Sequence, residues 1–495
     1  MPALLTVILS FGGALVCGLM PPGSHRRIRW VALATAVLGL AVAVCCCLRY
    51  DDPTGGMSDV INADWIPKLG ISFITGYDGI SLPLLLVTGL VAVCGVLFTW
   101  ELDKRADQFY AFYFALIGGV YGVFLSLDLF LLFVFYELAI VPKYFLIAIW
   151  GGAKREYAAM KLVMYSFGGS ALVLIGMLAL YFASGLNTFD LRVLMDADFS
   201  SGLQAVVFPV MFVGFAILAG MWPFHTWAPQ GHAAAPTAAS MLLAGVVMKL
   251  GAYGCLRVAV GLMPIGAQTW ASWVAVFAVI NIIYGALAAL RQDDFKYVIG
   301  YSSVSHMGFV LLGIATLNLT GMTGAVLQMF SHGVIGALLF ALVGTAIYTR
   351  TKTRMLDELH RLIERMPSIA WVFIVAGLAS MGLPGFSGFV SELYVVLGAW
   401  ETLSGWIVVG AGVGILATFG YTLVKIHEAF FRDRKNSGDN GDDAEPEEIY
   451  NPMTLPEKVG VALLLGASLL IGLCPWLLTN KMTASLKLLV DHLGN

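Results

Sequence analysis

The stretch LLFVFYELAIVPKYFLIAIW, residues 131–150, is an apolar run that contains one glutamate and one lysine. A helix of about 20 apolar residues is long enough to span the hydrocarbon core of a bilayer. A charged side chain near the centre of such a span costs at least about 2.5 kcal/mol, even on lenient insertion scales. Glu137 and Lys143 therefore predict a membrane helix that carries part of an ion or proton pathway.

Four further ionisable side chains lie inside later apolar runs. Lys249 lies in SMLLAGVVMKLGAYG, and His306, His332 and Glu392 follow in separate runs. A buried lysine or glutamate can gain and lose a proton when its partner moves, because burial disfavours the charged form and a nearby opposite charge favours it. Histidine needs only a small shift to titrate at physiological pH. With Glu137 and Lys143, these residues are the six candidates for proton transfer.

The composition places the chain in the membrane class. Hydrophobic residues make up 59% of the chain and charged residues only 12%, whereas soluble domains contain about 25% charged residues. The formal net charge of −3 gives no indication of a nucleic-acid partner. The seven cysteines lie in apolar runs without CxxC spacing, and the chain has no glycine-rich nucleotide motif. We therefore expect no iron–sulfur cluster, zinc site, disulfide framework or nucleotide site.

Counting apolar runs predicts an all-α integral membrane protein with about fourteen spanning helices. We expect these spans near residues 3–20, 29–48, 79–100, 109–127, 128–149, 161–184, 204–230, 234–260, 268–289, 297–316, 321–348, 367–400, 405–428 and 457–478. Short connections favour one membrane domain over residues 1–495. Its expected parts are helices 1–3 in 1–108, repeats in 109–260 and 268–430, an acidic loop in 431–456, and a final helix and tail in 457–495.

Loop charges predict the orientation of these spans. The first, third, fifth, ninth, eleventh and thirteenth connections carry lysine and arginine, whereas the long even-numbered ones, residues 51–78 and 184–202, carry only Lys68 and Arg192. Lysine and arginine are enriched in cytoplasmic loops. We therefore expect the odd connections, including the acidic stretch Asn436 to Glu448, in the cytoplasm. Both termini are then expected on the opposite side.

Two spans contain residues that interrupt a helix. The seventh contains Pro223 and Pro229, and the twelfth contains Pro384 between two glycines. Irregular backbone at membrane depth is tolerated only inside protein or beside a water-filled cavity. Paired broken helices are typical of inverted repeats around a transport path. We therefore expect two inverted five-helix repeats, helices 4–8 and 9–13, each with its fourth helix discontinuous. The alternative is that these prolines only kink packing helices.

Three segments resemble a known family. LRQDDFKYVIGYSSVSHMG, residues 290–308, and PFHTWAPQGHAAAPTAAS, residues 223–240, resemble signatures of the antiporter-like membrane subunits of respiratory complex I. GYDGISLPLLLVTGL, residues 76–90, resembles the subunit M branch of that family, which includes mitochondrial ND four. The resemblance covers nearly the whole chain.

The resemblance implies a proton-translocating subunit of NADH:quinone oxidoreductase in a bacterial inner membrane. By the resemblance, Glu137 matches the glutamate of the fifth helix, Lys249 the lysine of the eighth, and Glu392 the glutamate of the twelfth. His306 and His332 match polar residues of the central axis. NADH, FMN, iron–sulfur clusters and quinone are expected on partner subunits, with no cofactor and no redox site on this chain. The expected partners are other complex I membrane subunits, especially the antiporter-like L and N subunits, and the lipid bilayer.

One position departs from the family pattern. The family carries a lysine seven residues before the histidine of PFHTW, where this chain has Leu218. Lys143 stands where relatives more often carry methionine or threonine, so our hypothesis is that it replaces the missing amine. A direct pair with Glu137 is not expected, because six residues place Lys143 about 120° around the helix and roughly 9 Å further along it. The alternative is that Lys143 extends its ammonium to the membrane interface.

Three other functions remain open at this point. The first is an Mrp-type cation/proton antiporter subunit, which would transport sodium without NADH oxidation. The second is a subunit of a membrane hydrogenase or formate-linked complex that uses the same module. The third is a scaffold subunit that moves no protons, which the leucine at position 218 favours slightly. Co-purifying subunits distinguish the first two from complex I, and proton uptake by variants distinguishes the third.

Overall fold

The computed structural model describes residues 2–433 and 449–494 and shows a bundle of long apolar helices. Thirteen helices in these residues are long and apolar enough to span a membrane, and a shorter apolar helix covers Pro367–Ser380. The helices are α1 (Pro2–Leu19), α2 (His25–Arg49), α3 (Ser81–Phe98), α4 (Ala106–Leu125), α5 (Leu129–Trp150), α6 (Arg155–Ser184), α7 (Ser201–Ala234), α8 (Thr237–Val260), α9 (Pro264–Leu290), α10 (Phe295–Ala315), α11 (Leu319–Thr351), α12a (Pro367–Ser380), α12b (Ser387–Thr402), α13 (Gly405–Phe430), α14 (Leu455–Leu473) and α15 (Trp476–Gly494). Counted with α12a and α12b as one broken span, α1 to α14 correspond in order to the fourteen predicted spans.

Burial distinguishes central helices from peripheral ones. The apolar windows of α8 and α11 are completely buried, and those of α3 and α10 nearly so. In α1, α2, α13 and α14, only about a third of the window is buried. A helix that is apolar all round and buried all round lies in the core of a large bundle. The charged residues of α8, α10 and α11 therefore lie inside the protein.

The seventh and twelfth spans are broken, as predicted. In α7, a helix Ser201–Ala219 ends at Gly220, whose φ of 82° is left-handed, and a second helix begins at Trp227. Trp227 donates from its indole nitrogen to the carbonyl of Ile217 across this break. Gly382 and Gly385 adopt positive φ between α12a and α12b. Glycine accommodates this conformation at little cost, which explains both interruptions. The inverted symmetry of the two repeats stays a prediction.

Two structured segments were not predicted from the sequence. The expected loop 51–78 contains an antiparallel hairpin of β1 (Ser58–Ile66) and β2 (Ile71–Tyr77), with Gly70 at φ 67° between the strands. The expected C-terminal tail is the helix α15, which has a buried face and an exposed face. Ser485 of α15 lies 2.9 Å from the hydroxyl of Tyr50 and accepts from Gly79 N–H at 3.0 Å. Within residues 2–433 and 449–494 the regular structure is thus helical except for one small sheet, which α15 helps to hold against the bundle.

Two short helices, Leu191–Met195 and Leu362–Arg365, lie in connections. The prediction of a solvated acidic loop at Asn436 to Glu448 lies outside the described residues.

Candidate functional site

Lys249 lies at the centre of the bundle on α8. A π-helical turn, Leu243–Val247, precedes it, and a second one, Cys255–Val260, follows. Such widened turns are frequent at functional sites. Lys249 is fully buried, and its Nζ donates to the carbonyl of Ala244 in the first turn. The same nitrogen lies 2.8 Å from Nδ1 of His332 on α11.

The two predicted histidines and Glu392 continue from this contact. The ring centroids of His332 and His306 are 5.4 Å apart. Nδ1 of His306, on α10, lies 3.2 Å from Oε1 of Glu392 on α12b. The other ring nitrogen of His306 lies 3.3 Å from the hydroxyl of Ser380, at the end of α12a. Four predicted residues from four helices therefore form one buried line, which we call the polar axis: Lys249, His332, His306 and Glu392.

Gln328 and two serines complete this line and were not predicted. The amide of Gln328 lies 3.4 Å from both Nδ1 of His306 and Oε1 of Glu392. Its own oxygen accepts a hydrogen bond from Ser391. A cavity of about 10 Å³ lies among His306, His332, Ser380 and Glu392, which is close to the space that one water molecule requires. Glutamine and serine are common in helices, so the sequence carried no signal for these residues.

Glu137 and Lys143 form a separate pair on α5. The helix is interrupted at Ala139, between segments Leu129–Leu138 and Ile140–Trp150. Glu137 Oε1 and Lys143 Nζ are both buried and have no hydrogen-bond partner among the described residues. The two charges nevertheless interact electrostatically. No direct ion pair between them is present in the described residues, as the helix geometry predicted.

The position of Lys143 distinguishes the two interpretations of this residue. Its side chain is only 1% exposed, so its ammonium does not reach the interface and the snorkelling alternative is wrong. Leu218 is buried in α7 with no amine beside it in its own helix segment. No hydrogen bond joins Lys143 to α7 in the described part of the chain, and its role as the replacement amine stays a prediction.

The family can now be assigned from comparisons with known proteins. The family described as NADH:quinone oxidoreductase/Mrp antiporter, TM, matches residues 126–418, which include all six candidate residues. The chain belongs to this antiporter family. NADH-quinone oxidoreductase subunit M of Rhodobacter capsulatus is 35% identical over 484 residues, covering 95% of this chain and 92% of the relative. NAD(P)H-quinone oxidoreductase chain 4 1 of Thermosynechococcus vestitus is 38% identical over 476 residues, covering 94% and 88%.

Solved structures show the same fold. A chain of respiratory complex I from Thermus thermophilus with bound NADH superposes with a TM-score of 0.90 at 26% identity, with complete coverage of both chains. A chain of the Mrp complex from Dietzia sp. DQ12-45-1b gives 0.84 at 22% identity, covering 99% and 98%. At that identity the Mrp comparison shows the fold alone. The resemblance to the complex I subunits, stated from three motifs, is therefore confirmed.

Lys296 of this antiporter-family chain lies just outside the predicted span 297–316, but the structure places it inside the helix. It lies in the first turn of α10, where Asp294 caps the helix by accepting from the Lys296 N–H. The Lys296 side chain is buried and donates to the carbonyl of Ala235 at 2.8 Å. His232, which is fully buried, interacts electrostatically with both Lys296 and Lys249. The sequence missed this because the helix starts two residues earlier than the predicted span.

Lys296 also lines a cleft that defines one face of the bundle. The cleft has a volume of about 800 Å³ and is lined by residues from the connections after α3, α5, α9 and α11. These are lysine- and arginine-rich connections. We call this side the basic face. The described residues contain no group of three or more His, Cys, Asp or Glu side chains that could hold a metal ion.

An ion pair lies on the opposite side of the polar axis. Arg257, two turns after Lys249 on α8, contacts Asp78 at 2.5 Å, and both side chains are almost completely buried. Asp78 also accepts from the N–H groups of Ile80 and Ser81 at the start of α3. The pair therefore ties α8, at its second π-helical turn, to the start of α3.

Replacing Arg257 with methionine is expected to destabilise the chain by about 3 kcal/mol, because it leaves a buried carboxylate unpaired. The double variant Asp78→Leu with Arg257→Met removes both charges and is expected to recover most of that loss. Unfolding of the purified full-length chain in SDS measures both. A single variant as stable as the native chain would show that the pair is not needed.

Proposed function

We propose that this chain is the proton-translocating, M-type membrane subunit of a bacterial NADH:quinone oxidoreductase. In this role it couples quinone reduction in partner subunits to proton transfer through its own interior. The observation that carries the proposal is the polar axis. A chain that served only as a scaffold would gain nothing from a lysine, two histidines and a glutamate at the centre of an apolar bundle, because each adds a desolvation cost.

The axis can pass protons by small changes of hydrogen bonding. A charged Lys249 donates to Ala244 and to Nδ1 of His332, which requires His332 to be neutral with its proton on Nε2. When Lys249 gives a proton to Nδ1, His332 can release the Nε2 proton toward His306. His306 in turn donates from Nδ1 to the Glu392 carboxylate. Each transfer moves one proton from Lys249 toward Glu392. The groups must then regain their starting protonation before the next transfer.

Glu137 and Lys143 would act as the charge switch at the other end. Glu137 Oε1 and Lys143 Nζ lack hydrogen-bond partners among the described residues, and the two charges interact, so the ionic state of each depends in part on the other. A change of charge in a neighbouring subunit would shift this balance and so alter the proton affinity of Lys249. In this proposal Lys143 supplies the amine that Leu218 does not.

The proposal also assigns partner subunits, a membrane and an orientation to the chain. The L and N subunits would be its neighbours, and NADH, FMN, iron–sulfur clusters and quinone would be held by partner subunits. The chain would lie in the bacterial inner membrane with the basic face in the cytoplasm and both termini in the periplasm. Residues 109–260 and 268–430 would be the two inverted repeats around the axis. The relatives named as complex I subunits and the positive-inside rule support these assignments.

Purification with a tag on this chain tests the proposal. We expect it to co-purify with NADH-oxidising and quinone-binding subunits, and the assembled enzyme in liposomes to take up protons on addition of NADH. Sodium-dependent transport without NADH oxidation would instead identify an Mrp-type antiporter. Co-purification with hydrogenase or formate-oxidising subunits would identify the second alternative.

A further inference from the structure

A second group of polar side chains lies on α13, beside the half of the axis that contains His306. Tyr421 donates from its hydroxyl to Ser302 of α10 at 2.6 Å. One turn further toward the end of α13, Lys425 lies 2.9 Å from Glu428. Ser302 lies one turn before His306 on α10. None of these residues belongs to the axis described above.

These side chains surround a cavity of about 30 Å³. It is bounded by the polar residues Ser302, Ser380, Tyr421, Thr422 and Lys425, together with apolar residues of α10, α11 and α12a. The space suffices for about one or two water molecules. Hydroxyl groups in an apolar bundle carry a desolvation cost when they are not fully hydrogen-bonded. Four hydroxyl-bearing residues and one lysine therefore border this cavity.

Ser380 connects this cavity to the polar axis. It also lines the smaller cavity beside His306 and Glu392, and its hydroxyl lies 3.3 Å from Nε2 of His306. Tyr421 is close enough to Glu392 for the two groups to interact electrostatically. The two cavities thus lie on either side of one serine, which can exchange a proton with the histidine.

The other end of the cavity leads toward the basic face. α13 ends at Phe430, just before a lysine- and arginine-rich connection. Lys425 lies five residues before that end, a distance of about 8 Å along the helix. Its side chain is 6% exposed, whereas that of its partner Glu428 is 27% exposed. The Glu428 side chain is therefore partly exposed near the end of α13, while Lys425, which borders the cavity, is buried.

We propose that Glu428, Lys425 and Thr422 form a proton-access branch that links the basic face to His306 through Ser380. Protons would enter the axis at His306 by this branch, and pumping would still require Lys249. This inference rests on the proposed function, because it assigns an access route to the same axis. Proton transfer through it needs no co-reactant, since each group accepts one proton on one side and releases one on the other.

The test compares NADH-driven proton uptake by the assembled enzyme carrying Thr422→Val, Lys425→Met or Lys249→Ala. The first two variants are expected to lower uptake roughly 100-fold or more, as for the loss of a proton-transfer group. Thr418→Val is the matched control, because Thr418 lies one turn away on the same helix and bonds to the carbonyl of Gly414. Thr422→Ser keeps the hydroxyl and is expected to pump at the native rate.

Each result decides between the branch and the axis. If Lys249→Ala stops pumping while Thr422→Val and Lys425→Met pump normally, the branch is wrong and the proposed function stands. If Lys249→Ala pumps normally, the polar axis does not conduct the pumped protons, and the branch that leads into it is refuted as well. Should Thr422→Val fail to assemble, Thr422→Cys provides a second readout. A membrane-impermeant thiol reagent is then expected to inhibit uptake only in that variant and only from the basic face, and lack of inhibition would overturn the branch.

Discussion

Replacing Lys249 with alanine is expected to lower NADH-driven proton uptake by the assembled enzyme roughly 100-fold, the lower end of the range for losing a proton-transfer group. Lys249 is the one side chain that is hydrogen-bonded to His332 Nδ1 in the described part of the chain, and it is fully buried. No other described side chain can pass a proton to that nitrogen directly. Proton uptake by liposomes containing the purified enzyme measures the loss.

Two further variants separate charge from shape at this position. Lys249→Met keeps the volume of the side chain and removes the amine, so it is expected to fail as alanine does. Lys249→Arg keeps a charged donor that releases its proton far less readily, and we expect reduced uptake rather than none. Lys487→Met, at an exposed lysine of α15, serves as the control. Normal pumping by Lys249→Met would refute the proposed role of the amine.

Replacing Lys143 with methionine is expected to reduce proton uptake as strongly as Glu137→Ala, roughly 100-fold or more. Methionine has nearly the same length and fills the same buried site, so packing should change little. What changes is the charge balance, because Glu137 loses the one cation with which it interacts electrostatically. The rate of uptake in the assembled enzyme measures the effect.

A second substitution tests whether Lys143 replaces the missing amine. Adding Leu218→Lys to Lys143→Met places a lysine at the position where the family normally carries it, and uptake is expected to recover in part. Leu218→Lys alone adds a second buried cation and is expected to lower uptake. Native activity of Lys143→Met would contradict the role assigned to Lys143, whatever the double variant does.

Much of the fold follows from hydrophobicity and from helix-breaking residues. Runs of about 20 apolar residues located the spans, and proline with glycine located the breaks in α7 and α12. The β1–β2 hairpin was missed because its strand β1 is largely exposed and does not alternate clearly between apolar and polar residues. The α15 helix was missed because its mean hydropathy is too low for a span, although its buried side faces the bundle.

The candidate site was predictable only in part. Charges inside apolar runs pointed to Lys249, His306, His332 and Glu392, and the structure brings these four together. The sequence could not show which of them touch, because the contacts join four different helices. It also gave no sign of Gln328 or Ser380, since uncharged polar residues in a membrane helix are too common to mark a site. Lys143 was recognisable from the sequence as unusual. Only its burial in the structure shows that its ammonium does not extend to the membrane interface.

The most direct test of the central claim is a double-mutant cycle on the two ends of the polar axis. Lys249→Arg and Glu392→Asp keep the charges and leave a measurable rate of NADH-driven proton uptake in the assembled enzyme. If protons pass through both residues in one line, the double variant is expected to be little slower than the slower single variant. Rates that fall by the product of the two single effects, or uptake unchanged in both single variants, would contradict a single proton-conducting axis.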